Sequence, residues 1–152
     1  MKILFVCHGN ICRSPMAEFV MKKMVQEAGI AAETEISSAA VSSEELGNPV
    51  YPPARAILKQ HNISCDGKYA RKICSADYDE FDMLIGMDSS NIRRMHSFFN
   101  GDPDGKICRL LDFTDRKGAD VADPWYSGDF ETTYRDVVAG CSALLAEMLN
   151  SR

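Results

Sequence analysis

The 152-residue chain lacks any apolar run approaching the roughly 18 residues that a membrane-spanning helix needs. Its first six residues hold one lysine and five apolar residues before Cys7, too few for the core of a secretory signal, so a cytoplasmic protein without membrane partners is expected. Positive charge is not in excess: 17 Lys plus Arg stand against 22 Asp plus Glu, a net charge of -5. No global field would draw the chain to a phosphate backbone, and no nucleic-acid partner is expected, although a local positive pocket remains open. Histidine is scarce, and His8, His61 and His96 have no metal-ligand spacing, so no metal site is expected. The six cysteines (Cys7, Cys12, Cys65, Cys74, Cys108, Cys141) are dispersed and read as thiols rather than a disulfide framework. Neither a repeat nor a Ser/Gly linker divides the chain, and its length suits one domain over residues 1–152, with a monomer as the default.

What is present alternates strand with helix. Lys2 to Val6 is a continuous run of β formers, as expected of a parallel strand covered on both faces. A Ser14-Pro15 pair resembles an N-cap and first helical residue, and apolar residues from Met16 to Val25 recur at helical spacing until Gly29. Thr34 to Ala40 reads as a second strand, Ser42 to Pro53 as a loop and Ala54 to His61 as a short helix. Met83 to Met87 is a third strand, Ser89 to Phe99 a helix and Ile107 to Leu111 a fourth strand. A long polar loop, Asp112 to Gly128, precedes an amphipathic helix from Phe130 to Met148. The order predicts an α/β three-layer sandwich: a parallel sheet, helices on both faces, and a ligand loop at the carboxyl end of the first strand.

That loop is Cys7-His8-Gly9-Asn10-Ile11-Cys12-Arg13-Ser14. Backbone N–H groups converging in a tight turn before a helix form an anion nest, suited to phosphate. The same field favours a thiolate, because cysteines in such settings titrate at roughly 3.5 to 7.5. Arg13 would return a planar fork that binds two phosphoryl oxygens together. Ser14 would offer its hydroxyl to the Cys7 sulfur, cap the helix, or do both. Spacing alone does not settle the matter, since Cys65 to Arg71 repeats Cys-x5-Arg without the serine or a capped helix, and carries Asp66 where an anion would approach. A phosphate ester also needs a general acid for its leaving group. Asp123 is the best candidate: Pro124 holds it extended, and Trp125 and Tyr126 beside it would line an aryl slot. By composition alone Asp112, Asp115, Asp120 and Asp129 are equally acidic.

Val6 to Pro15 together with Asp123-Pro124-Trp125-Tyr126 resembles the low-molecular-weight protein tyrosine phosphatases. Ala70-Arg71, Met87 to Asn91 and Asp129-Phe130-Glu131 resemble further segments of that family, so the likeness spans nearly the whole chain. The resemblance implies a four-stranded parallel sheet and a two-step mechanism without metal or cofactor, acting on a phosphotyrosine protein or a small aryl phosphate. By the same resemblance Cys7 attacks phosphorus, Arg13 and the amides of residues 8 to 14 hold the equatorial oxygens, Asp123 protonates the leaving oxygen and then activates water, and Asn10 holds the shape of the loop. It also implies that Cys12 protects Cys7 through a reversible disulfide; a packing thiol is the alternative.

Departures from the family pattern are specific. An aromatic residue is common in the loop after the second strand, whereas this chain has Ser42 to Gly47, leaving Leu46 or Tyr51 to complete the substrate wall. Glu44 and Glu45 read as an acidic rim or as a solvated pair. Ser38-Ala39-Ala40 replaces the usual Ser-Ala-Gly, and Lys68 stands where histidine is usual, which puts a hydrogen bond supporting Asn10 in question. Trp125 replaces the first tyrosine of the tandem ring pair. Three other functions use part of the pattern. Thiol-dependent arsenate reduction needs two further closely spaced cysteines, but Cys74 and Cys108 are 34 positions apart (108 minus 74). A phosphocysteine carrier needs neither Arg13 nor Asp123, and a phosphopeptide-binding module needs no nucleophile.

Overall fold

A computed structural model describes Met1–Ser151. Strand β1 (Lys2–Cys7) lies inside the sheet, with Ile3, Leu4, Phe5 and Val6 wholly buried, as the unbroken apolar run requires. It pairs in parallel with β2 (Glu35–Ala40) on one side and β3 (Met83–Gly86) on the other. Beyond β3 lies β4 (Ile107–Arg109), giving the order β2-β1-β3-β4. Alternate β1 side chains feed two cores. Ile3, Phe5 and Cys7 pack with helices α1 (Arg13–Glu27), α2 (Pro52–Gln60) and the long carboxyl-terminal helix (Phe130–Asn150). Leu4 and Val6 pack instead with Tyr78 of α3 (Ala76–Glu80) and Met95 of α4 (Ser89–Phe98). The three-layer sandwich with a four-stranded parallel sheet is therefore present. A further short helix, α5 (Pro124–Ser127), precedes the last one, α6 (Phe130–Asn150).

Several boundaries differ from the sequence reading. Helix α1 starts at Arg13 with Cys12 in the capping position and no side-chain cap, so Ser14 lies inside the first turn and its hydroxyl is turned to the site. Helix α2 begins at Pro52 rather than Ala54, because a proline in the first turn has no N–H left without a partner. Strand β4 ends at Arg109, and Leu110–Phe113 coil into a 3-10 turn whose Leu110 and Leu111 are fully buried in the core shared with α6. The long loop thus shrinks at both ends. Among the described residues, no helix is long and apolar enough to cross a membrane.

Candidate active site

The carboxyl end of β1 delivers Cys7 to a loop that is tied down on both sides. Val41 N–H donates to the Cys7 carbonyl at 3.0 Å and Ser42 Oγ to the His8 carbonyl at 2.9 Å, while Tyr51 N–H reaches the Ile11 carbonyl at 2.9 Å. The Cys7 sulfur is buried among three polar neighbours: Ser14 Oγ at 3.0 Å, Asn10 N–H at 3.3 Å and Ser14 N–H at 3.4 Å. The two N–H groups are donors by nature, and they come from the loop and from the first turn of α1, the positive end of the helix dipole.

Asn10 supplies the bend. Its φ is 60°, in the left-handed region that asparagine tolerates better than most residues, and its side chain is buried. Nδ2 donates to Ser14 Oγ at 2.7 Å and to Ser38 Oγ at 2.9 Å, and Oδ1 accepts Arg71 N–H at 3.2 Å. The chain of bonds has a fixed direction. Glu18, buried, only accepts when ionised, so Ser38 Oγ must donate to it, at 2.5 Å; Ser38 then accepts from Asn10. Ser14 also accepts from Asn10, which leaves its own proton for Cys7. Lys68 closes the rear of this array, 3.3 Å from Glu18 and donating to the Ser38 carbonyl at 2.9 Å, with Lys22 at 2.5 Å on the other Glu18 oxygen. Burial lowers the Lys68 ammonium below its ordinary range, opposed by Glu18. Asn10 is therefore supported through Ser38 although histidine is absent at position 68.

Arg13, buried, is held in a fixed pose. One guanidinium nitrogen donates to Asp88 Oδ2 at 2.8 Å and to the Val121 carbonyl at 2.9 Å; the other lies 3.4 Å from Asp123 Oδ2. Burial works against its charge, but Cys7, Asp88 and Asp123 outweigh burial and raise its pKa. Asp88 is placed by its own task as N-cap of α4, accepting Asn91 N–H at 2.8 Å, while Asn91 Oδ1 accepts from Asp88 N–H at 3.1 Å. Asp123 likewise caps α5, accepting Trp125 N–H at 3.0 Å, with Pro124 as the first helical residue. A buried cysteine at a nest of amides, a pinned arginine and a carboxylate from a distant loop thus share one cleft.

The sequence profile of the low molecular weight phosphotyrosine protein phosphatases matches residues 2–152. The chain belongs to that family. It is 40% identical over 147 residues to the low molecular weight protein-tyrosine-phosphatase YfkJ of Bacillus subtilis, covering 96% of this chain and 94% of that protein. The PtpA proteins of Staphylococcus aureus are 36% identical over 143 residues, covering 94% and 90%. In three dimensions the crystal structure of YfkJ superposes with a TM-score of 0.96 over all of this chain and 96% of that one, at 37% identity. A Drosophila arginine phosphatase superposes with a TM-score of 0.87 over 97% and 98%, at 30% identity.

In this phosphatase the cleft has a volume of about 470 Å³. Cys7, His8, Gly9, Ile11, Cys12 and Arg13 form its floor, Asp88 and Asp123 one flank, and Trp125 and Tyr126 the outer wall. Asn10 and Ser14 stand behind the floor. Of the expected wall residues, Leu46 is 60% exposed and does not line the cleft. Its backbone turn faces solvent, and the adjacent Glu45 occupies the place instead, with its stem against Gly9. Tyr51 does not line the cleft either; it buttresses Trp125 from behind, with ring centroids 5.0 Å apart. Glu44 and Glu45 form an acidic edge, and Glu44 lies 2.9 Å from His8 Nε2. Burial, reinforced by Cys7 and Asp123, pushes the Cys12 thiol up to about 12. Cys12 is a free thiol here.

The decoy and the competing carboxylates lie elsewhere. Cys65 is buried in the core that also holds Ile57 and Leu58 of α2, and its neighbour Asp66 is paired with Arg55 at 2.8 Å. Asp112, Asp115, Asp120 and Asp129 do not line the cleft, and Asp129 caps α6. Asp88 and Glu18 join the site only once the chain is folded, whereas Ser38 and Lys68 lie in segments that already depart from the family pattern. Asp88 carries a sequence signal as a helix-capping Asp-x-x-Asn ahead of α4, and Glu18 carries none. No group of three His, Cys, Asp or Glu among the described residues is arranged to hold a metal ion.

Proposed function

We propose that this chain, as one domain over residues 1–152, hydrolyses phosphotyrosine in proteins through a phosphocysteine at Cys7. The convergence of three polar contacts on the Cys7 sulfur in the same cleft as Arg13 and Asp123 carries the reading. The anionic sulfur attacks phosphorus in line while the P–O bond to the tyrosyl oxygen breaks. The loop amides of residues 8 to 14 and the Arg13 fork take the charge that spreads over the three remaining oxygens. Asp123, protonated at this stage, gives its proton to the leaving oxygen, so that neutral tyrosine departs. Asp123, now a carboxylate, takes a proton from water as that water attacks phosphorus and the P–S bond breaks. Phosphate and the thiolate are regenerated, and Ser14 receives the sulfur's charge through its hydroxyl. The Trp125 and Tyr126 rings favour an aryl ester, which also has the length to reach the buried sulfur.

The test is turnover of para-nitrophenyl phosphate, a phosphotyrosine peptide and phosphoarginine in the presence of a chelator. Wild type is expected to prefer the phosphotyrosine peptide, Cys7→Ser to be inactive, and Asp123→Ala to lose about 10²-fold or more in kcat. Cys65→Ser is expected to retain full activity. Rapid acid quench of wild type should recover phosphorus on Cys7. Turnover by Cys7→Ser, or a preference for phosphoarginine, would refute the mechanism or the substrate respectively.

A further inference from the structure

Asp123 hangs from an irregular stretch of the chain. Between the turn ending at Phe113 and α5 there are ten residues without helix or strand, yet an acid must stand within hydrogen-bond reach of the leaving oxygen to act. One contact cluster on this stretch has no part in the chemistry described above. Arg109, at the end of β4, donates through Nη1 to the Gly118 carbonyl at 2.7 Å, to Ser89 Oγ at 2.9 Å and to Asp120 Oδ1 at 3.3 Å. That Asp120 oxygen also accepts Ser89 N–H at 3.0 Å and Ser89 Oγ at 3.1 Å. Asp112 completes the brace, accepting Arg109 N–H at 3.1 Å and Gly118 N–H at 2.8 Å.

The partners of this cluster explain its place. Ser89 is the first residue of α4 and the immediate neighbour of Asp88, which holds Arg13. Asp120 precedes Val121, whose N–H reaches the Met87 carbonyl at 2.8 Å and whose carbonyl holds Arg13. The amino end of α4 therefore fixes both the phosphate-binding arginine and the segment that carries the acid. We propose that Arg109 and Asp120 are positioning residues for Asp123, clamping the acid loop to the frame that orients Arg13. An ion pair this exposed, with side chains 28% and 47% accessible, adds little to overall stability. Displacement of a reacting group by about 1 Å costs about 10²-fold in rate, so the same pair is well matched to a role in placement.

The inference rests on Asp123 being the general acid, and leaving-group dependence separates the two claims. kcat/KM covers the steps up to phosphocysteine formation. It would be measured with phenyl phosphate, whose leaving oxygen needs a proton, and with 2,4-dinitrophenyl phosphate, whose leaving oxygen does not. Asp123→Asn should lose the first substrate far more than the second. Arg109→Met and Asp120→Ala are expected to follow that pattern: about a tenfold loss or more with phenyl phosphate and less than about twofold with the dinitrophenyl ester. Arg109→Lys should restore part of the loss. Ser89→Ala, a milder change, should move in the same sense by about threefold. Melting temperatures within about 4 °C of wild type and an unchanged rate of Cys7 alkylation would accompany these results. Equal losses on both esters, or no loss, in variants that melt like wild type would overturn the clamp while Asp123→Asn still discriminates. An Asp123→Asn enzyme that fails to discriminate would overturn the acid assignment itself, and the clamp with it.

Discussion

At the scale of single residues, Asn10 combines a left-handed φ with hydrogen bonds to Ser14, Ser38 and Arg71. Two substitutions separate those roles. Asn10→Ala keeps neither, and the buried Ser14 and Ser38 hydroxyls lose their donor, at a cost of about 1–3 kcal/mol. Asn10→Gly accepts the backbone angle without strain, recovering about 1 kcal/mol of that loss, but restores no bond to Ser14. Both variants are expected to lose about tenfold or more in kcat/KM, with stability differing between them in urea unfolding. Recovery of activity by Asn10→Gly would show that the backbone angle, and not the bonds, is what matters. That Cys7, Arg13 and Asp123 share one cleft is legible from sequence, because Cys7 and Arg13 sit in one short string and the family resemblance singles out Asp123 among equally acidic neighbours. The array of Glu18, Ser38 and Lys68 is not, since only the fold brings the three together behind the loop, and Lys68 shows in sequence merely as a replacement for the usual histidine. A buried carboxylate is recognisable only once its partners are known.

At the scale of elements, the packing of α6 on the turn after β4 depends on Gly140. A Cβ built there would lie 2.4 Å from Leu110 Cγ and within 3.0 Å of both its methyl carbons. Alanine gains about 1 kcal/mol of helix propensity over glycine, but overpacking against a fully buried branch point costs about 1–3 kcal/mol. The clash should win because Leu110 is enclosed on all sides. Gly140→Ala is expected to lower unfolding free energy by about 1 kcal/mol, and an increase would mean that Leu110 has room to move. The elements are readable where an apolar run or a helical period marks them. Strands β1 and β3 show as unbroken apolar runs, and helices α1, α4 and α6 carry enough residues for a helical period to show. The five residues of α3 and four of α5 do not, and β4 ends early because Leu110 and Leu111 bury themselves better by coiling than by extending.

At the scale of the whole molecule, acid stability has a contributor far from the cleft. Burial would raise the Asp102 carboxyl, but hydrogen bonds from Tyr78 Oη at 2.6 Å, Lys106 N–H at 2.8 Å and Ile107 N–H at 3.1 Å prevail, and its pKa is lowered. A carboxylate depressed in the folded state stabilises fully above its unfolded value of about 3.9, and the benefit disappears as pH drops through the folded value. Asp102→Asn should therefore be less stable than wild type at about pH 6, with the gap closing progressively below about pH 4. Urea unfolding at several pH values checks this, and a pH-independent gap would remove Asp102 from the account.

The central place of β1 has a consequence for synthesis. A ribosome presents Cys7 well ahead of the side chains that shelter the same face of its strand, since Val137, Cys141 and Leu144 emerge more than a hundred residues later. Nascent chains halted before α6 would expose a greasy flank of α1 and β1, a target for chaperones. Catalytic competence would then arrive late and all at once, rather than accumulate as the polypeptide grows.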